Sequence, residues 1–350
     1  VLLSSATNVA LNEMNISSNT GNGVLGIAVN GFTISDSRLM GNTDSADPNE
    51  NGINLDELAG TSAITNTRVA NSTEHNVEVR NTAGAATLNV TGSIFENDGL
   101  SGLASTNLNF LAQGSSSMTL NVQSSEFIGN RAAGFLTASG VFADGQSTAT
   151  LNATVQNSLF EDNNNAINVS HSGSGTVTFD ISNNGTAGRP IVGNLSAAEA
   201  AGAGGASTAI NVVMSTTYTG TASGVIDSNI IGNDAITESG SATGRGIVAD
   251  LDGSGTLRVE IANNTIRQTD FNGIRSWTQD TDGGDLLVKV TGNSFRNITS
   301  LGIYIRSRDG ASNTACAVVS GNTADATVTS DHVRVRQDTG VVSLEVGSAN

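Results

Sequence analysis

The residues of this chain best suited to chemistry are aspartates set close together. "DLDGSGT" (250–256) carries Asp250 and Asp252, and "QDTDGGD" (279–285) carries Asp280, Asp282 and Asp285. Carboxylates two positions apart can offer several oxygens to one hard cation, so calcium is the one cofactor these residues suggest. Equivalent stretches read "FADGQST" (142–148), "SHSGSGT" (170–176) and "SRDGASNT" (307–314). Their common element is Asp-Gly or Ser-Gly, the chemistry of a tight turn, and the preferred reading is a turn with no cofactor. The nine-residue calcium-binding repeat is absent. Nucleophilic catalysis has less support still. Of the three histidines, His75 and His332 stand near the start of strands and His171 reads as part of a turn. None is placed to serve a Ser or Cys nucleophile with an orienting acid. Cys316 is alone, which rules out an internal disulfide and favours a buried thiol. No catalytic residue is assigned, and the chain is expected not to be an enzyme.

The elements that would position any site are short and repeated. An aliphatic anchor, a large apolar residue five positions later and an asparagine two or three beyond it recur along the chain. The phrase runs Leu11, Ile16, Asn19; Ile34, Leu39, Asn42; Ile64, Val69, Asn71; and Val90, Phe95, Asn97. It continues as Val122, Phe127, Asn130 and Val155, Phe160, Asn163, and returns as Ile226, Ile231, Asn233 and Val290, Phe295, Asn297. Ile261 and Ile266 keep the apolar pair without the asparagine. Alternation over four to six residues rich in Val, Ile, Thr and Phe is strand periodicity. Self-similarity at a few tens of residues means stacked units, so each large residue is expected above its equivalent one coil away. The asparagines are expected to form a structural ladder at the bend.

In "VTGSIFENDGLSGL", "IANNTIRQTDFNGI" and "VTGNSFRNITSLGI" the repeat resembles the parallel β-helix of the pectin-lyase-like superfamily. That resemblance implies an all-β, right-handed parallel β-helix of roughly eleven coils, here a single domain over 1–350. Members include polysaccharide lyases, polygalacturonases, phage tailspikes and large bacterial surface proteins, so the likeness speaks to fold rather than activity. The polygalacturonase signatures are missing, with "GNTD" (41–44) the only faint echo. Bacterial surface and adhesin-type repeat proteins are closest in character, which implies an extracellular or cell-surface location.

Composition agrees with a solenoid. There are 41 Gly, 2 Pro, 4% aromatic and 13% charged residues, enough for a narrow core and not for a thick one. A net charge of −17 argues against nucleic acid and anionic membranes as partners. No apolar run approaches the ~20 residues needed to span a bilayer. The chain starts at Val1 inside a repeat-like phrase, and both ends read as parts of a longer polypeptide. Two stretches, 43–51 and 193–208, break the repeat and are expected to project as loops. The first is acidic, with Asp44, Asp47 and Glu50, and offers a further place for calcium; the second reads as a non-catalytic loop.

One face stands out once the last coils are aligned. Placing Ile247, Ile274, Ile303 and Val333 in register puts Val248, Arg275, Tyr304 and Arg334 in one outward column. Asp250, Trp277, Arg306 and Arg336 form the next, with Arg308 one step further. Ten of the fifteen basic residues lie from Arg245 onward. Guanidinium groups beside aromatic rings suit sugars, carboxylates or another protein surface. Pairing across coils on a solvated face accounts for the same residues. The expected function is a non-catalytic scaffold whose partners are other copies or segments of the same assembly, with acidic glycans next. A carbohydrate-active enzyme and a glycan-binding recognition module are the alternatives.

Overall fold

The computed structural model describes residues 1–42, 50–97, 106–130, 139–192, 208–279, 283–308, 312–328 and 332–346. Wherever every second residue is apolar the chain is extended, because only a strand puts alternate side chains on one face. In Ala85–Thr91, Leu88 and Val90 point inward and are fully buried, while Thr87 and Asn89 point outward. Neighbouring coils copy that pattern, and the strands pair in parallel with no shift of register, as in Leu88↔Leu120 and Val90↔Val122.

The result is an all-β parallel solenoid with three faces. Among the described residues sheet 1 has twelve strands, from Leu2–Ser4 to Val333–Gln337, and sheet 2 has twelve, from Thr7–Asn12 to Val341–Val346. Sheet 3 is a six-stranded and a four-stranded piece, linked by the single bridges Glu161↔Val192 and Ile191↔Ile231. The expected interior column is present on sheet 3. Ile16, Leu39, Val69, Phe95, Phe127 and Phe160 are paired in order, and Ile231, Ile266 and Phe295 continue it. Ile191, which no repeat phrase marks, fills the gap between Phe160 and Ile231. The phenylalanines stack with ring centroids 5.0 Å apart and planes within 14° and 8° of parallel.

The polar ladder is real, but it lies elsewhere in the repeat. Between sheets 2 and 3 the chain bends through one left-handed residue, such as Asn66 (φ 48°), Asn157 (52°) or Asn263 (54°). The next residue carries the rung. Ser37, Thr67, Ser93, Ser125 and Ser158 accept the backbone N–H of the preceding rung through their hydroxyls. Asn184, Asn229, Asn264, Asn293 and Asn322 then take over with Oδ1. Each Asn Nδ2 also donates back to a carbonyl of the coil before, as Asn264 does to Ile226 at 2.9 Å. The asparagines first singled out behave differently. Asn19 bonds to its equivalent, Asn42, by side chain (2.8 Å), whereas Asn71 and Asn297 serve as left-handed bends. The position two before the large apolar residue wins because its side chain points inward, where an unpaired peptide group is costly.

Two further expectations are corrected. His171 lies within the strand Asn165–Gly173, not in a turn, and its ring is interior. Gly145, its partner in the previous coil, makes room for it: a Cβ there would stand 2.0 Å from the ring. Cys316 is only half-buried, since it falls on the outward positions of sheet 2 between Leu287 and Ser343. The sheet 1 strand that follows Glu126–Asn130 is Ser139–Ser147. Of the two stretches expected to project as loops, 43–51 and 193–208, only Glu50, Asn51 and Thr208 are among the described residues. Among the described residues no helix is long and apolar enough to cross a membrane.

Candidate functional site

The alternation that buries Ile274 and Ile303 and half-buries Val333 sends their neighbours outward, and the register matches the two expected columns. Val248, Arg275, Tyr304 and Arg334 are paired in order, as are Trp277, Arg306 and Arg336, with Arg308 beside Gln279. Trp277 is the centre of the group. Arg275 lies over its ring at 4.3 Å and Arg306 at 5.3 Å from the centroid, while Tyr304 meets it edge-on at 5.5 Å. Ring quadrupole and guanidinium charge attract, so these contacts fix the orientation of both arginines.

The guanidinium groups also have carboxylate partners. Arg275 is ion-paired with Asp250, and Arg306 and Arg336 converge on Asp338. Asp250 Oδ1 further accepts the Trp277 N–H at 3.0 Å. Burial pushes the Asp250 carboxyl upward while Arg275 opposes the shift, which describes a structural ion pair in a dry setting. Arg245, which the sequence reading did not include, lies over the Phe271 ring at 5.5 Å, and burial lowers its pKa to about 10.

Three of the calcium candidates fall among the described residues. Asp250 is held by Arg275 on the outer face of sheet 1, Asp252 follows it in the turn, and Asp285 is exposed at the start of Asp285–Thr291. Asp280 and Asp282 lie outside the described residues, as do Asp44 and Asp47.

A cluster that sequence reasoning missed lies near the N-terminal end of sheet 1. Ligand atoms of Glu74, His75 and Glu78 lie within 4.8 Å of one another. The strand Val77–Asn81 turns Glu78 outward, yet it is only 8% exposed, and the Asn51 amide donates to its Oε2 at 3.0 Å. Burial raises the Glu78 carboxyl above its usual range, with Arg80 and the Asn51 bond opposing. The Thr106 N–H donates to His75 Nδ1 at 3.0 Å, so the ring proton sits on Nε2, 3.7 Å from Glu74 Oε1. Burial pushes His75 down to about 4, and it is neutral at physiological pH. The only sequence signal was the spacing Glu74, His75, Glu78 beside a strand start, which without the register looks like surface charge.

Other carboxylates serve coil-to-coil pairing. Arg189 bonds both Glu126 and Glu161, Arg80 holds Asp56 at 3.1 Å, and Lys289 holds Glu260 at 2.7 Å. His171 Nε2 meets the Ala149 carbonyl at 3.0 Å, and His332 is exposed. Comparison with family models, curated proteins and solved structures gives no match for this chain.

Proposed function

We propose that this chain is a non-catalytic scaffold, a length of a large bacterial surface or filament protein with an extracellular location. On this reading it is a right-handed β-helix of the pectin-lyase-like kind, working with other copies or segments of the same assembly and without a catalytic cofactor. The observation that carries the proposal is the side-chain ladder from Ser37 to Asn322. It commits buried polar groups of successive coils to holding the next coil. The ion pairs of Arg189, Arg80 and Lys289 tie coil to coil in the same way. A stiff rod with a chemically quiet surface is what such bonding favours. The test is incubation with acidic and neutral polysaccharides, with and without calcium. No new reducing ends or unsaturated products are expected. Product release abolished by changing one carboxylate would establish a lyase or hydrolase instead.

A second reading rests on the aromatic and arginine columns. Arg275, Trp277, Tyr304, Arg306, Arg308, Arg334 and Arg336 form the principal interaction face, for an acidic glycan or a neighbouring subunit. The stacked geometry around Trp277 supports it, because two guanidinium groups held by one ring are already ordered before a partner arrives. Binding to a glycan array and self-association are compared between the intact chain and a Trp277→Ala, Arg306→Ala variant. Loss of either is expected; unchanged binding by a folded variant returns this face to pairing across coils.

A further inference from the structure

We propose that Glu74 and Glu78, with the side-chain oxygens of Asn54 and Asn109, form a site for a hard divalent cation on the outer face of sheet 1. Asn54, Glu78 and Asn109 are consecutive in one outward column, paired in register across three coils. Asn109 is 6% exposed, and the Oδ1 atoms of Asn54 and Asn109 are both buried without a hydrogen-bond partner. The residues that carry these two orphaned acceptors stand on either side of Glu78 in the column. An unpartnered buried acceptor is costly, and a column of acceptors is satisfied by a ligand that brings positive charge. Glu74 supplies the second carboxylate, and the pair matches a charge of 2+.

The surroundings narrow the choice of ion. Neighbouring Asp56 is bound by Arg80, and Glu57 accepts both the N–H and the hydroxyl of Thr82, so neither competes. Asn51 holds Oε2 of Glu78 and thereby fixes the carboxylate. His75 would be the natural ligand for zinc or copper, but its Nδ1 already accepts the Thr106 N–H and its Nε2 carries the proton. With no nitrogen lone pair facing the cluster, the site is one of oxygens, which suits calcium or magnesium. Strand spacing of ~4.8 Å sets the asparagines on either side of Glu78, so water completes the shell and affinity is modest.

The full chain, freed of metal with a chelator, is titrated calorimetrically with calcium, magnesium and zinc chlorides at pH 7. One saturable calcium or magnesium site is expected, with Kd on the order of 10⁻⁴ M. Glu78→Gln weakens binding at least tenfold, Asn109→Asp tightens it, and His75→Asn leaves it unchanged. Asn109→Ala is the milder arm should Glu78→Gln fail to fold, and it too weakens binding. Absence of saturable binding by the parent chain overturns the proposal. So does undiminished binding in folded Glu78→Gln. Preferential zinc binding that His75→Asn abolishes would make this a nitrogen-ligated site and equally overturn it.

Discussion

At the scale of single residues, outward position does not guarantee exposure. Glu78, Asp144 and Asp250 all point away from the core of sheet 1, yet burial raises each of their carboxyls. His75 is the complementary case. Its folded pKa of about 4 lies below the ~6.5 of an unfolded histidine, so the unfolded chain takes up a proton that the folded chain refuses. Its effect on stability is therefore absent above about pH 6.5 and becomes a loss as pH falls toward 4, reaching ~3 kcal/mol. The carboxyls act in the opposite sense, which makes comparison with His75→Asn necessary. Urea unfolding at pH 7 and pH 4.5 should show the parent chain losing more stability than the variant. Equal losses would mean that the ring is not desolvated. Little of this was legible in the sequence, because burial of Glu78 and His75 depends on which coils flank them. The register of Trp277, Arg306 and Arg336 was legible, since alternation alone fixes it.

At the scale of elements, the apolar column was readable and its polar companion was misplaced. Large residues five positions after an anchor leave no doubt about which face they take. Two polar positions near one bend look alike in sequence, and only their direction tells rung from bend. Asn264 gives a direct test. It accepts from Asn229 N–H at 2.9 Å and donates to Ile226 O at 2.9 Å, so Asn264→Ala strands both groups. A loss of ~2–6 kcal/mol is expected, at ~1–3 kcal/mol for each unsatisfied group. Asn264→Ser should recover part of it, since serine makes the equivalent rung at Ser125 and Ser158. Equal losses for Ala and Ser, measured by chemical denaturation, would show that the ladder contributes only by packing. Truncating Phe127 to Ala should cost ~3–5 kcal/mol by removing a ring stacked on both sides.

At the scale of the whole molecule, each coil touches its neighbours and little else, so damage should stay local. Hydrogen exchange of Phe127→Ala should accelerate for amides near Phe95 and Phe160 and leave those near Ile266 and Phe295 unchanged. Uniform acceleration along the chain would mean that the solenoid unfolds as one cooperative body.

The ladder also gives the rod a sense. From Asn184 to Asn293 each rung presents its N–H and Nδ2 toward the Oδ1 of the rung that follows. A lost rung therefore deprives the coil before it of an acceptor and takes from the coil after it one of the two donors on its Oδ1. The two directions along the axis are chemically distinct, like the two ends of an arrow. Copies laid side by side must choose between parallel and antiparallel, and a filament built from them would carry a head and a tail.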